Sequence, residues 1–131
     1  MAHLLDSSIA IYLRDKKEAL LDHLGSLEER PALSVVTLVE LEGGIHSRPE
    51  LGAMRRDRVE AMVRQMDVLP FDEACVAAYR RIVGSTGFSR RKVIDRMIAA
   101  TALVHGLSVI TLNRRDFADV PGLELEVWPS P

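Results

Sequence analysis

Four acidic residues stand where apolar runs end or helical patterns begin, the places at which carboxylates from distant segments can meet. Asp6 directly follows the run His3–Leu5, and Glu40 lies one turn into a helical pattern starting at Thr37. Asp95 opens an alanine-rich run, and Asp116 comes five residues after Thr111, where a further apolar run closes, with Asn113 between as an alternative oxygen donor. Each acid taken singly also fits an ordinary role: a helix or turn cap for Asp6, Asp95 and Asp116, a solvated surface charge for Glu40. Asp95 asks for more, because Ile94, Met97, Ile98, Ala99 and Ala100 surround it with apolar neighbours. A carboxylate on so buried a helix needs a cation, hydrogen bonds or a metal. Thr37 and Gly44 flank Glu40 on one helical face, whereas Glu42 points the opposite way and reads as solvated. Gly44 weakens a helix, and its expected return is a close approach on that face.

Carboxylates gathered in one crevice repel each other and raise each other's pKa. A hard divalent cation with a preference for oxygen ligands, Mg²⁺ or alternatively Mn²⁺, relieves that repulsion. Such an ion also makes water more acidic and shields a phosphate, so the chemistry implied is phosphodiester hydrolysis without a Ser, Cys or His nucleophile. His3, His23, His46 and His105 show no metal-ligand spacing, and the single cysteine, Cys75, excludes an internal disulfide and a cysteine zinc site. Cys75 is expected to be a buried small hydrophobe, in keeping with a reducing cytoplasm.

The elements that must position these acids alternate. Strands are predicted at His3–Leu5, Ala32–Val35, Asp67–Leu69, Leu107–Thr111 and Leu123–Val127. Between them, helices are predicted at Ile9–Arg14 with Ser7 or Ser8 as cap, Lys17–Leu27, from Thr37 to Ile45, Ala53–Met66, Glu73–Val83 capped by Asp72, and Val93–His105 ended by Gly106. Ser47–Gly52 and Gly84–Ser89 are expected to be loops. This order predicts one α/β domain over residues 1–131, with three layers, α/β/α, around a mainly parallel sheet. Sites in such sheets form beyond the carboxyl ends of the strands, where Asp6 and Thr111 fall. The 17 basic and 19 acidic residues give a net charge of −2, which argues against bulk electrostatic capture of nucleic acid but leaves room for local basic patches. No apolar run reaches the length of a membrane span, and the charges close behind Met1–Leu5 predict no signal sequence.

Four segments, LLDSS (4–8), TLVELEGGI (37–45), DRMIAATALVHGL (95–107) and VITLNRRDF (109–117), together resemble the PIN-domain ribonucleases, and among them the VapC-type toxins of bacterial toxin–antitoxin pairs. LPFDEACVAAY (69–79) and DVPGLELEVW (119–128) look like the same family, so the resemblance runs from residue 3 to 128. It implies a PIN-like fold and a Mg²⁺-dependent endoribonuclease that cleaves RNA phosphodiesters with metal-activated water. Asp6, Glu40 and Asp95 match the family's principal acids, and Asp116 the fourth, more variable one. Ser7 matches the hydroxyl that often follows the first Asp, and Thr111 and Asn113 match the polar residues at the strand end. The resemblance further implies a homodimer and a VapB-type antitoxin that covers the pocket in a heterotetramer or larger assembly. FSRRKVI, ahead of Asp95, departs from the glycine-containing turn of many relatives and is unusually basic.

Arg14, Arg90, Arg91, Lys92, Arg96, Arg114 and Arg115 all neighbour the acids in sequence and are the candidates for phosphate contacts. Arg55, Arg56, Arg58 and Arg64 read as surface charges of a separate helix. Aromatic residues are few, so base-stacking platforms are not evident and recognition by shape and backbone is expected. Leu20, Leu24, Leu27, Met62 and Met66 read as core first and as a partner groove second. The alternative function is a catalytically idle binding module of the same fold acting with an antitoxin. A haloacid-dehalogenase-type phosphatase is disfavoured by Ser8, where that class wants a second Asp, and a receiver domain by the absence of a matching Lys after Thr111.

Overall fold

The computed structural model describes residues 2–131. A sheet of five parallel strands, β1 (His3–Leu5), β2 (Ala32–Ser34), β3 (Val68–Leu69), β4 (Ser108–Thr111) and β5 (Leu125–Val127), has the order β3-β2-β1-β4-β5. Alternation along the strands splits the core in two. Leu4, Ala32, Leu69 and Val109 face α5 (Glu73–Thr86) and α6 (Val93–His105), together with Phe117 and Val120. Leu5, Leu33 and Ile110 face α1 (Ser7–Arg14), α2 (Glu18–Gly25), α3 (Val35–Ser47) and α4 (Gly52–Gln65). The three α/β/α layers expected from the sequence are therefore present.

β1 pairs with β2 on one side, Leu5 opposite Leu33, and with β4 on the other, Leu5 opposite Ile110. The chain winds one way from β1 to β3 and then crosses to β4, so the sheet reverses its order beside β1. A crevice opens there at the strands' carboxyl ends. Asp6 stands at that point, its backbone N–H donating to the Ile110 carbonyl at 3.0 Å.

Local chemistry moves several predicted boundaries. Asp6, and not Ser7 or Ser8, caps α1: its carboxylate accepts the Ile9 N–H. α5 runs through Gly84 to Thr86, and stops at Gly87, whose φ of 87° suits a residue without a Cβ. The Ser47–Gly52 stretch is not a simple loop, because Pro49–Leu51 forms a 3-10 turn that leads directly into α4. α6 spans the range expected and ends at Gly106 in the left-handed conformation. Cys75 is buried. Leu20 and Met62 are core, whereas Leu24, Leu27 and Met66 are half-buried against the same core and also line a surface cavity of about 220 Å³. No helix among the described residues is long and apolar enough to cross a membrane.

Candidate active site

Three helix starts converge at the crevice. Asp6 caps α1, Ser34 caps α3 with its hydroxyl accepting the Val36 N–H, and Asp95 lies in the first turn of α6. The unpaired N–H groups and dipoles at these ends favour negative charge in the space between them.

Asp6 is held on both oxygens and is 4% exposed. Oδ1 accepts the Ile9 N–H at 3.0 Å and the Ser8 hydroxyl at 2.8 Å, and Oδ2 accepts the hydroxyl of fully buried Thr111 at 2.5 Å. Thr111 Oγ1 in turn accepts the Asn113 N–H at 3.0 Å, which ties the loop after β4 to Asp6. Burial raises the Asp6 carboxyl above its ordinary pKa despite these three hydrogen bonds, and the charge of Asp116 adds to the rise. Ser7 shares a 3.1 Å hydrogen bond with Thr37 and so joins α1 to α3 one turn before Glu40.

Asp95 is pushed up to about 6, first by burial and then by the charges of Asp116, Asp6 and Glu40, with Arg96 opposing. Asp95 therefore stands close enough to each of the other three predicted acids to feel its charge. Glu40 Oε1 is buried and has no hydrogen-bond partner in the protein. A buried, unpaired carboxylate oxygen is costly unless something outside the chain satisfies it. The donor set is all oxygen, the chemistry that suits Mg²⁺ or Mn²⁺. As placed, the described residues include no group of three or more His, Cys, Asp or Glu side chains near enough together to hold a metal ion, so a bound ion would require these carboxylates to draw closer. Asn113 takes a different role from the acids: it is exposed, and its side-chain oxygen accepts the Arg115 N–H as cap of the 3-10 turn Arg114–Asp116.

Ser89, Arg91, Lys92, Asp95, Arg115 and Asp116 line a cavity of about 340 Å³ beside the acids. Arg91 and Arg115 are exposed and Lys92 half-buried, and Arg90 and Arg114 lie exposed next to them. Two of the predicted phosphate contacts are corrected. Arg14 and Arg96 are each only 4% exposed and serve the fold. Arg96 forks onto Asp119 at 2.7 and 2.8 Å, pinning the start of α6 to the chain after β4. Arg14 pairs with Asp15 and lies over Gly44, where a Cβ would come within 2.6 Å of its Nη1. Arg14 stands seven residues after Ser7, and Gly44 seven after Thr37. Two turns of helix bring the same two faces together again, so the close approach expected at Gly44 is made by this guanidinium. Arg55 is not a plain surface charge either: it donates to the Gly44 carbonyl at 2.7 Å, and its Nε is buried without a partner. Ser8, read from the sequence only as a cap candidate, reaches back to Asp6 from the first turn of α1, and Asp119 was passed over, its only signal being an acid following a basic turn.

The chain belongs to the PIN domain family, which matches residues 3–123. Within reach of that family it is similar to the tRNA(fMet)-specific endonuclease VapC of Shigella flexneri, 30% identical over 128 residues covering 95% of this chain and 96% of that one. It is also similar in structure to a chain of the DNA-bound VapBC of Salmonella typhimurium, with a TM-score of 0.84, 26% identity and 98% of both chains covered. A chain of VapBC2 from Rickettsia felis, bound to a promoter DNA fragment, shares the fold with a TM-score of 0.84 over 98% of this chain and 99% of that one, at 21% identity.

Proposed function

We propose that this protein is a VapC-type endoribonuclease, the toxin of a toxin–antitoxin pair, whose Asp6, Glu40, Asp95 and Asp116 hold Mg²⁺ or Mn²⁺ against the RNA backbone. One observation carries the proposal: Asp95 lies within reach of the charges of Asp6, Glu40 and Asp116, from three other segments, and one Glu40 oxygen is buried with no partner. A divalent cation at that point would acidify water and offset the negative charge of a phosphodiester. The chain's own residues do the rest. Thr111, Ser8 and the Ile9 N–H fix the Asp6 carboxylate in one orientation, and Ser7 with Thr37 sets α3, and hence Glu40, against it. Arg91, Lys92 and Arg115 line the cavity at the acids and offer phosphate contacts on one side of the crevice.

The relatives support the substrate and the partner. The Shigella protein is named a tRNA(fMet)-specific endonuclease, the Salmonella chain comes from a DNA-bound VapBC, and a VapBC of Mycobacterium tuberculosis is named as a member of a family of toxin–antitoxin systems. We read this chain likewise as a nuclease of cellular RNA, a homodimer paired with a VapB-type antitoxin in a heterotetramer or larger assembly. A catalytically idle module would have no use for an unpaired buried carboxylate oxygen, which disfavours that alternative. The test is cleavage of RNA by the purified chain with Mg²⁺ or with chelator, alongside Asp6→Asn, which keeps the cap geometry and removes the charge. Loss of cleavage in both controls is expected. Cleavage undiminished in both would overturn the proposal.

A further inference from the structure

The loop that departs most from the family pattern also carries the most exposed large hydrophobic side chain of the described residues. Phe88 is 68% exposed, directly before Ser89, which forms part of the wall of the cavity holding Asp95 and Asp116. Exposing a phenyl ring to water is unfavourable by its area, and this one packs against neither core cluster. Five cations lie in the two turns that flank this cavity: Arg90, Arg91 and Lys92 in the 3-10 turn that follows Phe88, and Arg114 and Arg115 in the turn Arg114–Asp116, of which Arg115 shares the cavity with Ser89. None of the five forms an ion pair with a carboxylate among the described residues, whereas Arg14, Arg48, Arg56 and Arg96 all do. The two turns are rigidly related, because Arg96 and Asp119 clamp the start of α6 to the chain after β4.

An unpaired cationic rim with one bare aromatic ring is the combination that binds single-stranded nucleic acid: cations take the phosphates and the ring takes a base face. A folded protein partner would favour an apolar patch with a polar rim. Here one ring stands alone among charges, next to Ser89, Arg90 and Arg91, all exposed. We propose that Phe88, with Arg91, Lys92 and Arg115, forms a subsite for an unpaired nucleotide of the RNA, the ring stacking on the base while the cations hold its phosphate beside the acidic pocket. This rests on the ribonuclease reading above and adds to it a base-contacting residue, Phe88, in the loop beside the cavity. From the sequence, with few aromatic residues, no stacking platform is evident. Scarcity of aromatics along the chain does not prevent one ring from being placed where it matters.

The test measures binding in chelator, so that no cleavage intervenes, of a short single-stranded RNA carrying 2-aminopurine. Phe88→Ala is expected to weaken binding about tenfold, the scale of one base–aromatic stack, and to abolish the quenching of 2-aminopurine fluorescence. Phe88→Trp should keep both. Arg91→Ala and Arg115→Ala should each weaken binding and lower the salt dependence by about 0.7 in the log–log slope, as expected for one phosphate contact on a single strand. A fully paired duplex of the same sequence should not distinguish Phe88→Ala from the wild type. Wild-type binding and cleavage of RNA, with Phe88→Ala equal to it in affinity and quenching, would overturn the subsite while leaving the ribonuclease reading intact. Loss of antitoxin binding alone in Phe88→Ala would overturn it in favour of a protein contact. Failure of the wild type to cleave any RNA with Mg²⁺ would instead remove the underlying ribonuclease reading.

Discussion

Replacing Asp95 by Asn should stabilise the metal-free protein at neutral pH while it destroys activity. Asp95 would ordinarily titrate near 3.8 and here titrates near 6, because burial and three neighbouring acids oppose its charge. A folded-state pKa above the unfolded one means that the native protein binds more protons in between, so stability falls as pH rises through that window. Well below pH 3.8 the group is neutral in both states and costs nothing. Well above pH 6 the full penalty applies, at most about 3 kcal/mol at about 1.4 kcal/mol per pH unit and less by solvent screening of this part-exposed group. Asn has the same shape and no charge, so it removes the penalty. It also forgoes the attraction of a carboxylate to the α6 N-terminus, about 0.3–1 kcal/mol. The expected net gain is about 2 kcal/mol at pH 7.5, or roughly 8 °C in melting temperature for a chain of this size, and close to nothing at pH 4. Comparing the variant with wild type at each pH cancels the titration of groups that do not interact with Asp95, and relief of Asp6, Glu40 and Asp116 adds to the gain in the same direction. The assay is urea and thermal unfolding of both proteins in chelator at pH 4 and 7.5. Added Mg²⁺ should then raise the wild-type melting temperature, by linkage to the folded state, and leave Asp95→Asn behind. A variant less stable than wild type at pH 7.5, or a stability gap independent of pH, would refute the account of repelling carboxylates.

Thr111→Val keeps the side-chain shape but removes the donor to Asp6 Oδ2. It should cost about 1–3 kcal/mol in urea unfolding and raise the Asp6 pKa further, which NMR titration of the carboxyl would report. Asp119→Ala leaves the Arg96 guanidinium, 4% exposed, without its fork. Because Asp119 itself is half exposed, the stability loss should be about 1–3 kcal/mol, below the range for a fully buried pair, and cleavage should fall as the two cationic turns lose their fixed relation. Gly44→Ala forces the Arg14 guanidinium from its seat and should cost about 1–3 kcal/mol of overpacking, with Arg14→Met restoring part of the loss in the double variant.

The strand-end positions of Asp6 and Thr111 were legible because a strand, a polar residue and a helix start leave few other arrangements in a parallel sheet. Leu4 and Leu5 illustrate how little else is needed: two adjacent leucines on a buried strand must serve the two faces, and they do. The convergence of Glu40 and Asp95 was legible only as far as the helices were, since each acid lies in the opening turns of its helix. Proximity in sequence misled at Arg14 and Arg96. Arg96 follows Asp95 directly, but one residue turns a helix by about 100°, and that rotation carries it from the pocket to Asp119. Gly84 misled in a similar way. It weakens the helix locally, yet α5 packs along α6 through Ala78 and Ile82, and that contact carries the helix past it to Gly87. The role of Phe88 could not be read from type or spacing, because exposure is a property of the whole surface and not of any window of the chain.

The hydrogen bond from Thr111 to Asp6 joins residues 105 positions apart, and β1 acquires its β4 neighbour only when most of the chain exists. During synthesis, Asp6 therefore emerges long before the strand that buries and orients it, and Asp116 emerges later still. A partial chain holds some of the acids but not the crevice that assembles them. On the ribonuclease reading proposed above, this topology acts as a clock: cleavage can begin only after Thr111 and Asp116 have left the ribosome and joined Asp6.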